Sequence, residues 1–79
     1  MPDAPHPQPD LAAAIRQIRL REELTQEELA LRAGVHLTWV SKAERGHRDM
    51  RWASICLIAG GLGVTVLELV ALAERLEVA

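Results

Sequence analysis

Apolar residues in this 79-residue chain recur three and four positions apart, and nowhere do they alternate over the length of a strand. Asp10 is a good N-cap, and Leu11, Ile15 and Ile18 behind it predict a first helix over residues 11–22. Thr25 and Glu28 form a capping-box pair, flanked by Leu24 and Leu29 as a hydrophobic staple. A second helix is therefore expected over 26–33, with Gly34 free to take the left-handed conformation that ends it. The turn Gly34-Val35-His36 leads to a third helix over 37–45, which Gly46 closes, and a fourth is expected over 51–60. Thr65 and Glu68 repeat the capping box, with Val64 and Leu69 as staple, and open a fifth helix over 66–76. Residues 1–9 hold four prolines, which remove backbone donors, so a flexible tail is expected there. The expected fold is all-α, a compact five-helix domain over 10–79.

Composition narrows the chemistry. Apolar residues at 49% and charged residues at 25% fit a globular chain and exclude a disordered one. Two tryptophans are the only aromatics, so the core must be aliphatic. Trp52, opening an otherwise apolar helix, is expected in that core, and Cys56 is expected to be a small buried hydrophobe. A lone cysteine allows neither an intramolecular disulfide nor a cysteine-based zinc site, and His6, His36 and His47 lack metal-ligand spacing. Gly60-Gly61-Leu62-Gly63 lacks the Lys-Ser/Thr of a phosphate loop and is expected to be a turn at a helix end. Glu22, Glu23, Glu27 and Glu28 sit where helix dipoles favour acids, as solvated groups. No nucleophile, base and orienting group can be assembled, so no enzyme, cofactor, metal or small-molecule ligand is expected. Met1-Pro2-Asp3 does not begin a signal peptide, and the uncharged run 52–67 is short and broken by glycines, so a cytoplasmic protein is expected.

The net charge of −2 hides an uneven distribution. Arg32, Lys42, Arg45, Arg48 and Arg51 face only Glu44 and Asp49 across residues 32–51, a net of +3. The segments before and after it carry −3 and −2. A focused basic patch inside an acidic chain suits a local contact with phosphate.

That patch overlaps two short helices joined by a glycine-containing turn, an arrangement in which the second helix can enter a DNA major groove. The wording around it is Thr25-Gln26-Glu27-Glu28-Leu29-Ala30, Ala33-Gly34-Val35 and Val40-Ser41-Lys42-Ala43-Glu44-Arg45-Gly46. It closely resembles the phage repressor/Cro type of helix-turn-helix family. The likeness extends through Ile15, Ile18 and Arg19 before it, and through Ile55, Ile58, Ala59, Leu62-Gly63-Val64, Glu68 and Leu69 after it, over about residues 11–70. Small members include phage repressors and the controller proteins of restriction–modification systems, which this chain resembles in size.

The resemblance implies five helices, a dimer and sequence-specific binding of a double-stranded operator. Carried over by position, Leu37, Thr38, Ser41 and Lys42 would face base edges. Gln26 would hold a phosphate, Arg48 matches a DNA-contacting arginine of controller-like members, and Arg19 and Glu44 match a buried or half-buried pair. Three positions depart from the family: Glu23 stands where glycine is common, His36 where Ser or Asp caps the third helix, and Met50 where proline is common.

The chemistry of the residues supports much of this separately. Gln26 lies at a helix N-terminus, where free N–H groups attract phosphate. Lys42 shares a helical face with Thr38 and can donate to guanine, while Leu37 and the Thr38 methyl suit a thymine methyl. Arg45, Arg48 and Arg51 cluster where the third helix ends and could neutralise phosphates. Trp39 is either a phosphate or sugar contact or surface packing. On the fifth helix, Val66, Leu69, Ala73 and Leu76 fall on one face, toward the core, while Leu67, Val70 and Ala71 fall on the other. With Leu57, at a position the family often charges, they form an apolar surplus expected to be a dimer interface and so to demand a near-palindromic operator. The competing function class is a protein-interaction module with the same shape, such as an antitoxin or accessory subunit.

Overall fold

The computed structural model describes residues 9–46 and 50–76. Five helices follow one another: α1 (Leu11–Arg21), α2 (Gln26–Ala33), α3 (Leu37–Glu44), α4 (Trp52–Leu62) and α5 (Val66–Arg75). The expected residues 1–8 of the tail, together with His47 and Arg48, lie outside the described residues.

Local chemistry sets the helix starts. Asp10 accepts from the Ala13 amide at 3.0 Å and caps α1. Both capping boxes are formed: Thr25 and Glu28 exchange bonds of 2.9 and 3.0 Å at α2, and Thr65 and Glu68 do the same at α5. Accepting the cap amide and the threonine hydrogen bond lowers the pKa of Glu28 and of Glu68 below the usual glutamate value. His36 heads α3 without a side-chain capping bond.

Three helix ends follow one rule. In α1, α2 and α4 the amide that follows a left-handed residue reaches back to form a six-residue ring: Leu24 to the Arg19 carbonyl, Val35 to Ala30 and Val64 to Ala59, each at 3.0 Å. The residue inside each ring is left-handed. Two are glycines, Gly34 (φ 71°) and Gly63 (φ 76°), and the third is Glu23 (φ 57°). A side chain in that region costs about 1 kcal/mol, and burial of the following Leu24 offsets it.

The core is aliphatic throughout. Ile15, Leu29, Val40, Ile58, Leu62 and Leu69 are fully buried and draw on all five helices. The N-terminal end is tied to the last helix by the Asp10 amide, which donates to the Ala73 carbonyl at 2.9 Å. Among the described residues no single helix is long and apolar enough to cross a membrane; α4 and α5 are bent 97° from one another.

Three expectations about α4 need correction. The helix runs from Trp52 through both Gly60 and Gly61 to Leu62, so the turn begins only at Gly63. Trp52 is 67% exposed rather than in the core, because Ile55, Ile58, Ala59 and Leu62 supply the inward face and leave the first residue outside. Cys56 lies on that same outer side and is exposed, not buried. The other helices with altered bounds end at Arg21, Glu44 and Arg75, each one residue short of the expected position.

Gly61 is helical for a tertiary reason. A Cβ there would stand 2.9 Å from Ala33 Cβ and 3.0 Å from the Ala33 amide nitrogen, so its absence lets α4 lie directly on α2. At Gly60 a Cβ would meet nothing within 4 Å. Gly60→Ala is therefore expected to stabilise the fold by about 0.5–1 kcal/mol, from helix propensity. Gly61→Ala should destabilise it by about 1–3 kcal/mol by forcing two backbones apart. Thermal melts of the two variants check this; equal effects would contradict the close approach.

Candidate nucleic-acid interface

The second helix of the pair, α3, is anchored by its inward face. Val40 and Ala43 are buried, Trp39 is half-buried against the same core, and Leu37, Thr38 and Lys42 are exposed. Ser41 sits half-buried between the two faces.

One polar network fixes how this helix sits. Arg19 Nε donates to Glu44 Oε2 at 2.6 Å and Nη2 donates to Oε1 at 3.0 Å, a two-pronged pair that joins α1 to the end of α3. Arg19 Nη1 donates to the Leu24 carbonyl at 2.8 Å, tying in the approach to α2. The two side chains are 11% and 4% exposed. The bond to Glu44 pushes the Arg19 pKa up, against a smaller opposing effect of burial. Gln26 Nε2 also donates to Glu44 Oε1, at 3.1 Å, and Gln26 Oε1 accepts from Ser41 Oγ at 2.9 Å. Three helices thus meet on one carboxylate. No buried side-chain polar atom among the described residues lacks a partner.

The structure brings together only part of the expected site. Thr38, Ser41 and Lys42 share one side of α3, with Leu37 at its start. Gln26 stands beside them at the first turn of α2, its amide bonded to Ser41 and Glu44. Arg45, just past α3, and Arg51, just before α4, are exposed. Arg48 lies outside the described residues. On the later helices Leu57 is 49% and Leu67 78% exposed, Ala71 is exposed and Val70 is half-buried. The Ser41–Gln26–Glu44 bonds went unread in the sequence. Their one trace there is that Ser41 and Glu44 stand three apart, on one helical face. Among the described residues no group of three His, Cys, Asp or Glu could hold a metal ion.

Residues 10–73 match a protein family described as a helix-turn-helix domain. The chain is 41% identical over 51 residues to the control protein C.BamHI of Bacillus amyloliquefaciens, a match spanning 63% of each protein. The wild-type restriction-modification controller protein C.Esp1396I superposes with a TM-score of 0.77 at 32% identity, over 85% of this chain and 90% of that one. The controller protein C.AhdI from Aeromonas hydrophila does so with a TM-score of 0.72 at 30% identity, over 76% and 91%.

Removing one member of a buried, hydrogen-bonded ion pair leaves the other uncompensated, at about 3–5 kcal/mol. Glu44→Ala is expected to lower stability by about that much. The double variant with Arg19→Ala should cost far less than the two single changes together. Urea unfolding of the four proteins checks this, and additive losses would remove the pair from its structural role.

Proposed function

The chain belongs to the helix-turn-helix domain family, and from that premise we propose that it is a sequence-specific, double-stranded-DNA-binding transcriptional regulator that acts as a dimer. The observation that carries this is the division of α3. Its inner side is held by core packing and the Glu44 network, while Leu37, Thr38, Ser41 and Lys42 line the open side at the start of α2. A helix so held can lie in a major groove without bending or rolling.

Each exposed group has a matching role. Lys42 donates to guanine O6 or N7, and Leu37 with the Thr38 methyl meets a thymine methyl. Gln26, with the free amides of α2, holds a phosphate. Arg45 and Arg51, with Arg48 between them in sequence, neutralise the backbone, and the open edge of Trp39 adds a sugar or phosphate contact. The controller-protein names of the relatives support a regulator of transcription in a prokaryotic cytoplasm rather than an enzyme. The exposed Leu57, Leu67 and Ala71, with the half-buried Val70 between them, supply the interface for a second copy. A two-fold pair sets the recognition helices roughly 34–36 Å apart and calls for a near-palindromic operator.

Titration against a site selected from random duplexes tests the reading. Lys42→Ala should lose about 1–3 kcal/mol on that site and relax one base position. Arg45→Ala should weaken every sequence evenly and lower the salt slope by about one phosphate. A protein-interaction module would show no strong affinity for duplex and no preference among sequences. Sedimentation tests the interface: Leu67→Glu and Val70→Glu are expected to be folded monomers at micromolar concentration, and persistent dimers would place the contact elsewhere.

A further inference from the structure

We propose that Ser41 reads an exocyclic amino group, adenine N6 or cytosine N4, and that Glu44 imposes this choice through Gln26. The proposal rests on the DNA-binding reading above and adds to it the hydrogen-bond polarity of one contact.

The polarity follows from the buried end outward. An ionised carboxylate only accepts hydrogen bonds. Glu44 is held in place by two bonds from Arg19, so whatever else approaches its Oε1 must donate. Gln26 therefore turns its amide nitrogen toward Glu44, at 3.1 Å. Its Oε1 is then left facing Ser41, and an amide oxygen only accepts, so Ser41 must supply the hydrogen, at 2.9 Å. A serine hydroxyl has a single hydrogen. With that hydrogen committed inward, Ser41 offers only lone pairs to anything lying along α3.

In the major groove those lone pairs match the amino groups of adenine and cytosine. Guanine O6 and N7 and thymine O4 would meet them lone pair to lone pair. A serine without such a network could rotate its hydroxyl to suit either kind of edge. Gln26 keeps its second amide hydrogen, so acting as a relay does not prevent it from donating to a phosphate. Gln26 and Glu44 are thus positioning residues, and Ser41 is the residue that meets the base.

The experiment uses the full chain and duplex DNA. Selection from a random duplex library with the wild-type protein and with Ser41→Ala identifies the base pair that depends on Ser41. Synthetic duplexes then carry, at that pair, a base lacking the amino group (purine for adenine, 2-pyrimidinone for cytosine). A second set instead carries 4-thiothymine or 6-thioguanine as the partner base, which exchanges the opposing carbonyl oxygen for weakly accepting sulfur and keeps the ring N–H. Both changes act on the same Watson–Crick hydrogen bond and leave the central N–H···N bond in place, and any residual duplex effect is common to wild type and Ser41→Ala. For the wild type, loss of the amino group should cost roughly three- to tenfold more than the sulfur exchange, as for one hydrogen bond. Ser41→Ala should show no such excess. Gln26→Ala, which frees the hydroxyl to rotate, should show a reduced one beside any even loss from the phosphate contact.

A greater cost for the sulfur exchange overturns the relay, as does a selected site indifferent to Ser41→Ala. Failure of the wild-type protein to enrich any sequence overturns the DNA-binding reading itself. Scanning amino-deleted bases along the selected site with the wild-type protein needs no variant to fold: no amino-dependent position would also overturn the relay.

Discussion

The side-chain hydrogen bonds that orient α3 converge on the Glu44 carboxylate. Its two oxygens receive both prongs of the Arg19 guanidinium and the Gln26 amide, so α1, α2 and α3 are referenced to a single point. Burying an ion pair is seldom a gain in stability over apolar packing, but breaking one is costly, and this asymmetry favours one arrangement over its neighbours. In a chain this small, with an aliphatic core and no aromatic residue fully buried, such a point does what shape alone does poorly. Alanine, valine and isoleucine side chains can slide past one another; a two-pronged bond of 2.6 and 3.0 Å cannot.

The rest of the frame supports that point from behind. α4 lies on α2 at the distance Gly61 permits, which fixes the back of the helix pair while Arg19 fixes its end. α5 closes the core with Leu69 and Ala73 and holds the start of α1 through the Asp10 amide. The outer side of α4 carries no charge and α5 exposes Leu67 and Ala71 beside Glu68, Glu74 and Arg75, in contrast to the basic run around α3. On the proposed function the two surfaces divide the work, one toward DNA and one toward a second copy.

Features with a local cause were legible in the sequence. The capping boxes at Thr25 and Thr65, the Asp10 cap and the left-handed Gly34 each depend on a few neighbouring residues, and each is present. The five-helix fold followed from these and from the three-and-four spacing. Features with a distant cause were not, apart from the Arg19–Glu44 pairing, which came from the resemblance. Gly61 looked like a turn because its reason is Ala33, 28 positions away, and the next glycine in the same helix has no such reason. Trp52 and Cys56 looked like core because hydrophobicity does not say which side of an apolar helix faces inward. Within the candidate site, the exposed positions on α3 came from the resemblance and from helical spacing. The link from Gln26 to Ser41 crosses 15 positions and exists only once α2 and α3 are docked.

The central claim is that a rigidly held α3 presents its open side to duplex DNA. Its most direct test is an amide-resolved NMR titration of the full chain with a short duplex carrying its selected site. The account predicts that the largest shifts fall on Leu37, Thr38, Ser41 and Lys42 and on the first turn of α2, with Trp52, Leu57 and Leu67 little changed beyond the dimer's own signals. Shifts centred on α4 and α5, with α3 undisturbed, would contradict it.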